Sequence, residues 1–164
     1  MTPGSSPSVD PQQYLDFIIS VLRQLKPSRV SRPSRQPDGT LAPPPEAQYG
    51  AEFYRACHSY SRGSILPSPE WGLKIKCKGA IDFFLPGYEL AIELAREGFR
   101  LGEQYERFLP GGCYNQWLAG GFVRNFILLD FRVGVPTIPH NCMASFPIFI
   151  LPYFSSLELI FVQI

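Results

Sequence analysis

The sequence predicts an α/β domain, a small mixed sheet flanked by helices, preceded by an N-terminal helix and a disordered linker. Three observations carry this reading. The run Val123 to Arg132 (VRNFILLDFR) is nearly all apolar in its centre, as in a strand covered on both faces. Two strand-like runs, Ala80 to Leu85 and Leu90 to Ala95, flank Pro86-Gly87-Tyr88-Glu89, where Pro-Gly makes a turn. Apolar residues recur at helical spacing in two further stretches, one on either side of a Pro-rich segment.

The chain has 164 residues, room for one domain with extensions. An apolar content of 45% supports a packed core, whereas 17 prolines and 14 glycines assign much of the chain to loops. A formal charge of +1 excludes a global field that would draw in nucleic acid, so any such surface is a local patch. Cys57, Cys77, Cys113 and Cys142 are widely spaced with no C-x-x-C pair, which argues against a zinc site and a disulfide framework and for reduced, buried thiols. The first ten residues lack the basic start and apolar run of a secretory signal.

The first helix begins at Asp10, a capping residue, with Pro11 at its first position. Tyr14, Phe17, Ile18, Val21, Leu22 and Leu25 form its apolar stripe, expected to dock on the domain itself, and Pro27 stops it. Residues 27–45 read as a solvated linker in which Arg29, Arg32 and Arg35 alternate with Ser and Pro. A second helix spans about Glu46 to Ser61, with Tyr49, Phe53, Cys57 and Tyr60 on one side and Glu52 flanking them. His58 near its end reads as a surface or capping histidine. Leu73, Ile75 and Cys77 alternate with Lys74, Lys76 and Lys78, the period of a half-buried strand whose lysines guard an outer edge.

After the turn at 86–89 a short helix is expected around Leu101 to Phe108, then Gly111-Gly112 and a helical turn through Tyr114 to Leu118. The strand at 123–132 should lie in the middle of the sheet. Beyond Arg132 the only formally charged residue is Glu158, which raises the question of a membrane anchor. Pro147, Pro152, Ser155, Ser156 and Glu158 interrupt the apolar run, so two strands, Phe146 to Leu151 and Leu157 to Val162, are expected instead.

Symmetric closure of the 86–89 turn sets Asp82 opposite Glu93. Two carboxylates facing each other across adjacent strands repel unless a cation or a proton lies between them. Such a pair can hold a hard cation like Mg²⁺ for phosphodiester hydrolysis; equally, both acids can face solvent beside arginine or lysine partners.

The segments EAQYGAEFYRACHSY, GAIDFFLPGYELAIELAREGFRLGEQYERFLPGGCY and FILLDFR, spread over Glu46 to Arg132, resemble the C-terminal domain of crinkler-type effector proteins of fungi and oomycetes. That domain belongs to the PD-(D/E)XK restriction-endonuclease-like superfamily. The resemblance implies a restriction-endonuclease-like domain over residues 46–164, with 1–45 as N-terminal helix and linker. It makes Asp82 the first metal-binding aspartate, Glu93 the second acid, and Glu52 the acid from the first core helix. Two positions depart from the pattern: Ala95 stands where the superfamily has lysine, and Gln104 where relatives carry histidine. Arg96 or Arg100 remains as a phosphate stabiliser, though arginine cannot act as a general base.

The sequence reading is therefore a Mg²⁺-dependent nuclease acting on DNA, with metal ligands Glu52, Asp82 and Glu93 and with Arg96 on the phosphate. It involves no small-molecule cofactor and no membrane anchor. By the same resemblance the protein is secreted and acts in a host cell. The rival reading is an inactive interaction module that keeps the fold, favoured by Ala95 and Gln104.

Overall fold

A computed structural model describes residues 11–30, 34–42, 45–72, 79–132, 148–152 and 158–163. In chain order the elements are α1 (Pro11–Leu22), α2 (Pro27–Val30), β1 (Ser34–Arg35), β2 (Leu41–Ala42), α3 (Glu46–Ser61), β3 (Ser68–Trp71), β4 (Ile81–Leu85), β5 (Leu90–Arg96), α4 (Leu101–Glu106), α5 (Asn115–Ala119), β6 (Asn125–Arg132), β7 (Ile148–Pro152) and β8 (Glu158–Gln163). A 3-10 turn, Pro86–Tyr88, joins β4 to β5. The protein is thus mixed α/β, as its patterning predicts.

The main sheet runs β3-β4-β5-β6-β8-β7, and β1 and β2 form a separate ribbon. All neighbours are antiparallel except β5 and β6, whose parallel pairing requires the crossover through α4 and α5. Strand β6 is interior, and Phe126 to Phe131 are buried on both faces, which explains its continuous apolar run. The β4–β5 hairpin pairs Leu85 with Leu90, Phe84 with Ala91 and Phe83 with Ile92, the register of symmetric closure. Glu89 takes a left-handed conformation (φ 49°) to complete the turn.

Period-2 alternation divides the core in two. Phe83, Leu85, Leu90, Ile92, Leu94, Ile127, Leu129 and Phe131 face α1 and α3, whereas Phe84, Ala91, Ala95, Phe126 and Leu128 face α4 and α5. Ile81, at the start of β4, packs with the second cluster although its parity matches Phe83.

Helix α1 docks on its own domain through the expected stripe: Tyr14, Phe17, Ile18, Val21 and Leu22 join the first cluster, and Phe17 stacks on Tyr88 of the hairpin turn at 4.8 Å. The following segment has more structure than a solvated linker. Its first residues form α2, which buries Val30 against the same cluster, and Ser34–Arg35 pairs with Leu41–Ala42. One apolar residue at the right spacing suffices to pin a turn that a proline at its first position already favours.

One edge strand of the described sheet is Ile148–Pro152, the other Ser68–Trp71. Pro67 and Pro69 argue against a strand there, yet proline is tolerated on an edge. The lysine-bearing strand expected at 73–78 lies outside the described residues, as do residues 1–9, Arg32, Cys77 and Cys142. Neither Cys57 nor Cys113 is in a disulfide; burial pushes the Cys57 thiol up to about 12, so it is inert at neutral pH. His58 is exposed in the last turn of α3, where its carbonyl accepts the Gly63 N–H. The two C-terminal strands form close to their expected positions, with β8 pairing to β6. Among the described residues no helix is long and apolar enough to cross a membrane.

If α1 is part of the folded unit, Leu22→Ala should lower stability by about 2–5 kcal/mol, the cost of emptying a fully buried leucine site. The exposed Tyr54→Ala should stay within about 0.5 kcal/mol of wild type. Urea denaturation distinguishes the two; an unchanged midpoint for Leu22→Ala would show that α1 does not contribute to the core.

Candidate functional site

The β4–β5 ladder stops after Phe83 and Ile92, one residue short of the two acids. Continuing the register sets Asp82 against Glu93 and Ile81 against Leu94, but side chains take over there. Asp82 Oδ2 accepts the Leu94 N–H at 2.7 Å, and Gln104 Nε2 donates to the Leu94 carbonyl at 3.0 Å. Both backbone polar groups of Leu94 are thereby satisfied without a neighbouring strand, and the space between the separated strands becomes a cleft. It measures about 190 Å³ and is lined by Glu46, Ala80, Asp82, Glu93, Phe99, Arg100, Gln104 and Arg107.

Glu93 is only 1% exposed, and its Oε1 has no hydrogen-bond partner. Burial, reinforced by the charges of Asp82 and Glu46, pushes its carboxyl up to about 9, although Arg107 and the Asp82 backbone N–H pull the other way. Asp82 is also raised, first by burial and then by Glu46, against the hydrogen bond from Leu94, the Arg107 charge and the hydrogen bond from Glu93. The two acids behave as a coupled pair that retains a proton at neutral pH, because two charges cannot be held so close in so dry a place.

Facing them are groups from the segment after β5. Arg100, Gln104 and Arg107 recur at helical spacing and line the same cleft. Arg107 donates to Tyr114 Oη at 3.3 Å and its guanidinium lies 5.6 Å from that ring's centre, while Tyr114 Oη donates to the Ala80 carbonyl at 2.8 Å. Tyr114 therefore ties Arg107 to the start of β4. The chain reaches that position because Gly112 folds back over the end of α4; a Cβ there would lie 2.2 Å from the Glu106 carbonyl.

Of the residues singled out in the sequence, Asp82 and Glu93 come together as the register requires. Glu52 does not join them. It lies one and two-thirds helical turns after Glu46, on another face of α3. There it accepts hydrogen bonds from the Lys26 backbone N–H at 2.8 Å and from Arg55 Nε at 2.8 Å, with Arg29 Nη1 3.6 Å away. Burial alone would raise Glu52, but these hydrogen bonds and charges outweigh it and hold the carboxyl below its usual range. The α3 acid at the cleft is Glu46, in the first turn.

Arg96 is likewise displaced. Three residues from Glu93 on one strand, it points to the opposite face, towards Tyr49 of α3, whose ionisation its charge affects. Among the described residues the cations at the cleft are Arg100 and Arg107. Their signal was present in the R-x-x-x-Q-x-x-R spacing of residues 100–107, in which the two arginines flank α4 and Gln104 lies within it. Ala95 pairs with Asp130 of β6 in the second core layer, so no basic residue occupies that position.

No protein-family model, curated protein or solved structure matches this chain. Among the described residues no three His, Cys, Asp or Glu side chains converge closely enough to hold a metal ion. Asp82 and Glu93 nevertheless fit a hard cation such as Mg²⁺, which commonly binds through one or two carboxylates and completes its shell with water. The unpartnered Glu93 Oε1 is a donor atom of the right chemistry.

The protonated acid gives a stability signature. Between the ordinary glutamate value of 4.5 and about 9 the folded chain holds a proton that the unfolded chain has lost, so Glu93 makes stability fall as pH rises across that window. Glu93→Gln should remove this dependence and melt several degrees above wild type at about pH 8.5, with a smaller difference at about pH 5. Parallel melting curves for the two proteins across that range would mean that Glu93 is ionised throughout.

Proposed function

We propose that the chain is a restriction-endonuclease-like module of the crinkler effector type that hydrolyses phosphodiester bonds in DNA with Mg²⁺ held by Asp82 and Glu93. One observation carries the reading. A carboxyl buried to 1% exposure, with an oxygen lacking any partner, sits beside a second acid where two strands separate. Packing does not explain it, since a buried polar atom without a partner is costly; a cation between the two acids would. The surroundings support the same reading: a first core helix brings Glu46 to the cleft, the acidic hairpin sits in a mixed sheet, and two arginines face the acids.

When bound between the two acids, the cation supplies positive charge that acidifies an attacking water and offsets charge growing on the phosphate. The protein's own groups do the remainder. Arg107, held by Tyr114, stabilises the phosphate oxygens from the opposite wall and stays charged throughout. Glu46 is the remaining carboxylate at the cleft able to accept a proton, since the superfamily's lysine is replaced by Ala95. Gln104 holds the Leu94 carbonyl and thereby keeps the strands apart.

The second reading, an inactive interaction module on the same fold, draws on Ala95 and on Gln104. Melting with and without metal separates the two. At Mg²⁺ or Mn²⁺ about a hundredfold above Kd, binding should add roughly 2.7 kcal/mol of stability. Asp82→Asn should abolish this shift, because it removes one of the two carboxylates that would hold the cation. Arg107→Ala should lower DNA cleavage by about 10²-fold or more, and Glu52→Gln should lower stability without removing the metal shift. If metal leaves the melting unchanged, and plasmid and single-stranded DNA stay intact, the nuclease reading is wrong and the inactive module takes its place.

A further inference from the structure

We infer that the turn between β5 and α4 is a nucleotide clamp, in which Phe99 stacks on an unpaired base while Arg100 takes the adjoining phosphate, so that the cleft works on single-stranded DNA. The inference deepens the phosphodiesterase reading and rests on it.

Phe99 lines the cleft yet is 70% exposed. Exposure alone means little, because single apolar side chains on a surface are ordinary; Phe122 is also exposed but does not line the cleft. What sets Phe99 apart is how its turn is built. Glu97 and Arg100 both adopt left-handed backbone conformations (φ 53° and 56°), which residues with a Cβ rarely take. The turn is held there by three hydrogen bonds. Glu97 N–H donates to the Phe131 carbonyl at 3.0 Å, Gly98 N–H to Asp130 Oδ1 at 2.9 Å and Phe99 N–H to the Arg96 carbonyl at 2.9 Å. Asp130 is fully buried, and Arg132 secures its other oxygen. A buried, ion-paired acid and two unfavourable backbone conformations thus hold an aromatic ring and a guanidinium at the rim of the cleft. Their arrangement is set before any ligand arrives, which lowers the cost of binding.

The size of the cleft decides what the ring meets. At about 190 Å³ it is smaller than the roughly 300–1,000 Å³ of pockets that enclose drug-sized ligands. A phosphodiester occupies only part of that volume, and Phe99 offers its ring to the attached base at the rim. Inside a duplex both faces of each base are covered by neighbours, and a side chain can stack only on a base that is unpaired. Arg100 spends its charge on an exposed ion pair with Glu103, a weak contact that a phosphate can replace. The ring is followed directly by Arg100, a cation suited to a phosphate.

The test uses the full chain and a fluorescein-labelled oligothymidine of about 12 nucleotides, alone and annealed to its complement, with anisotropy read in Ca²⁺ buffer. The single strand should bind more tightly than the duplex. Phe99→Ala should weaken single-strand binding about tenfold or more, on the scale measured for one base–aromatic stack. Phe99→Trp should restore it, and Phe122→Ala should match wild type. Equal binding by wild type and Phe99→Ala, full restoration by Phe99→Leu, or preference for the duplex would overturn the clamp. Cleavage is scored separately in Mg²⁺. Cleavage that is indifferent to Phe99→Ala removes the clamp and leaves the nuclease standing, whereas Phe99-dependent binding without cleavage supports the clamp and removes catalysis.

Discussion

The backbone N–H and carbonyl of Leu94 are the point on which the cleft depends. In an uninterrupted sheet they would face Ile81 across the hairpin. Here Asp82 accepts the one and Gln104 donates to the other, so β4 can leave β5 without stranding polar groups in a dry interior. Every other feature of the site follows from that exchange. Separation of the strands opens the cleft, leaves Glu93 with an oxygen lacking a partner, and draws α4 across the opening with its arginines. Gln104, which looks like a lost functional histidine, is a structural bracket in this chain.

Two buried acids, Glu52 and Glu93, show how environment decides the work of a carboxylate. Glu52 is 3% exposed, but it is surrounded by donors: the Lys26 backbone, Arg55 and Arg29. It stays ionised and joins the N-terminal segment to α3. Glu93 is equally buried, with another acid as its near neighbour and the Arg107 charge and the Asp82 backbone N–H in opposition. It is driven to hold a proton. A burial fraction predicts neither outcome; the count of donors does.

Among the described residues the cleft is electrically balanced, with Glu46 and the Asp82–Glu93 pair, which retains one proton, against Arg100 and Arg107. Such a balance suits a site that must hold a cation and an anion together, because neither alone is overwhelmingly attracted. It also agrees with a net charge of +1, which leaves recognition to local geometry.

Much of this was legible in the sequence. Helix α3 follows its apolar period, β6 its continuous apolar run, and the hairpin register follows from a Pro-Gly turn closed symmetrically, which alone sets Asp82 opposite Glu93. These are local determinations: side-chain period and turn chemistry act over a few residues. Strand parity also decides that Arg96 leaves the site, and helical period sets Gln104 and Arg107 on one side of α4. What the sequence could not decide is which acid of α3 reaches the cleft. Glu46 and Glu52 are alike as residues, and the choice depends on where α1 and α2 pack, since their docking adds the Lys26 N–H and Arg29 to the Arg55 of α3 that already faces Glu52. The opening of the ladder at Leu94 was equally hidden, because it requires Gln104 to arrive from another element. Chain entropy and packing between distant segments decide such contacts, and no local period encodes them.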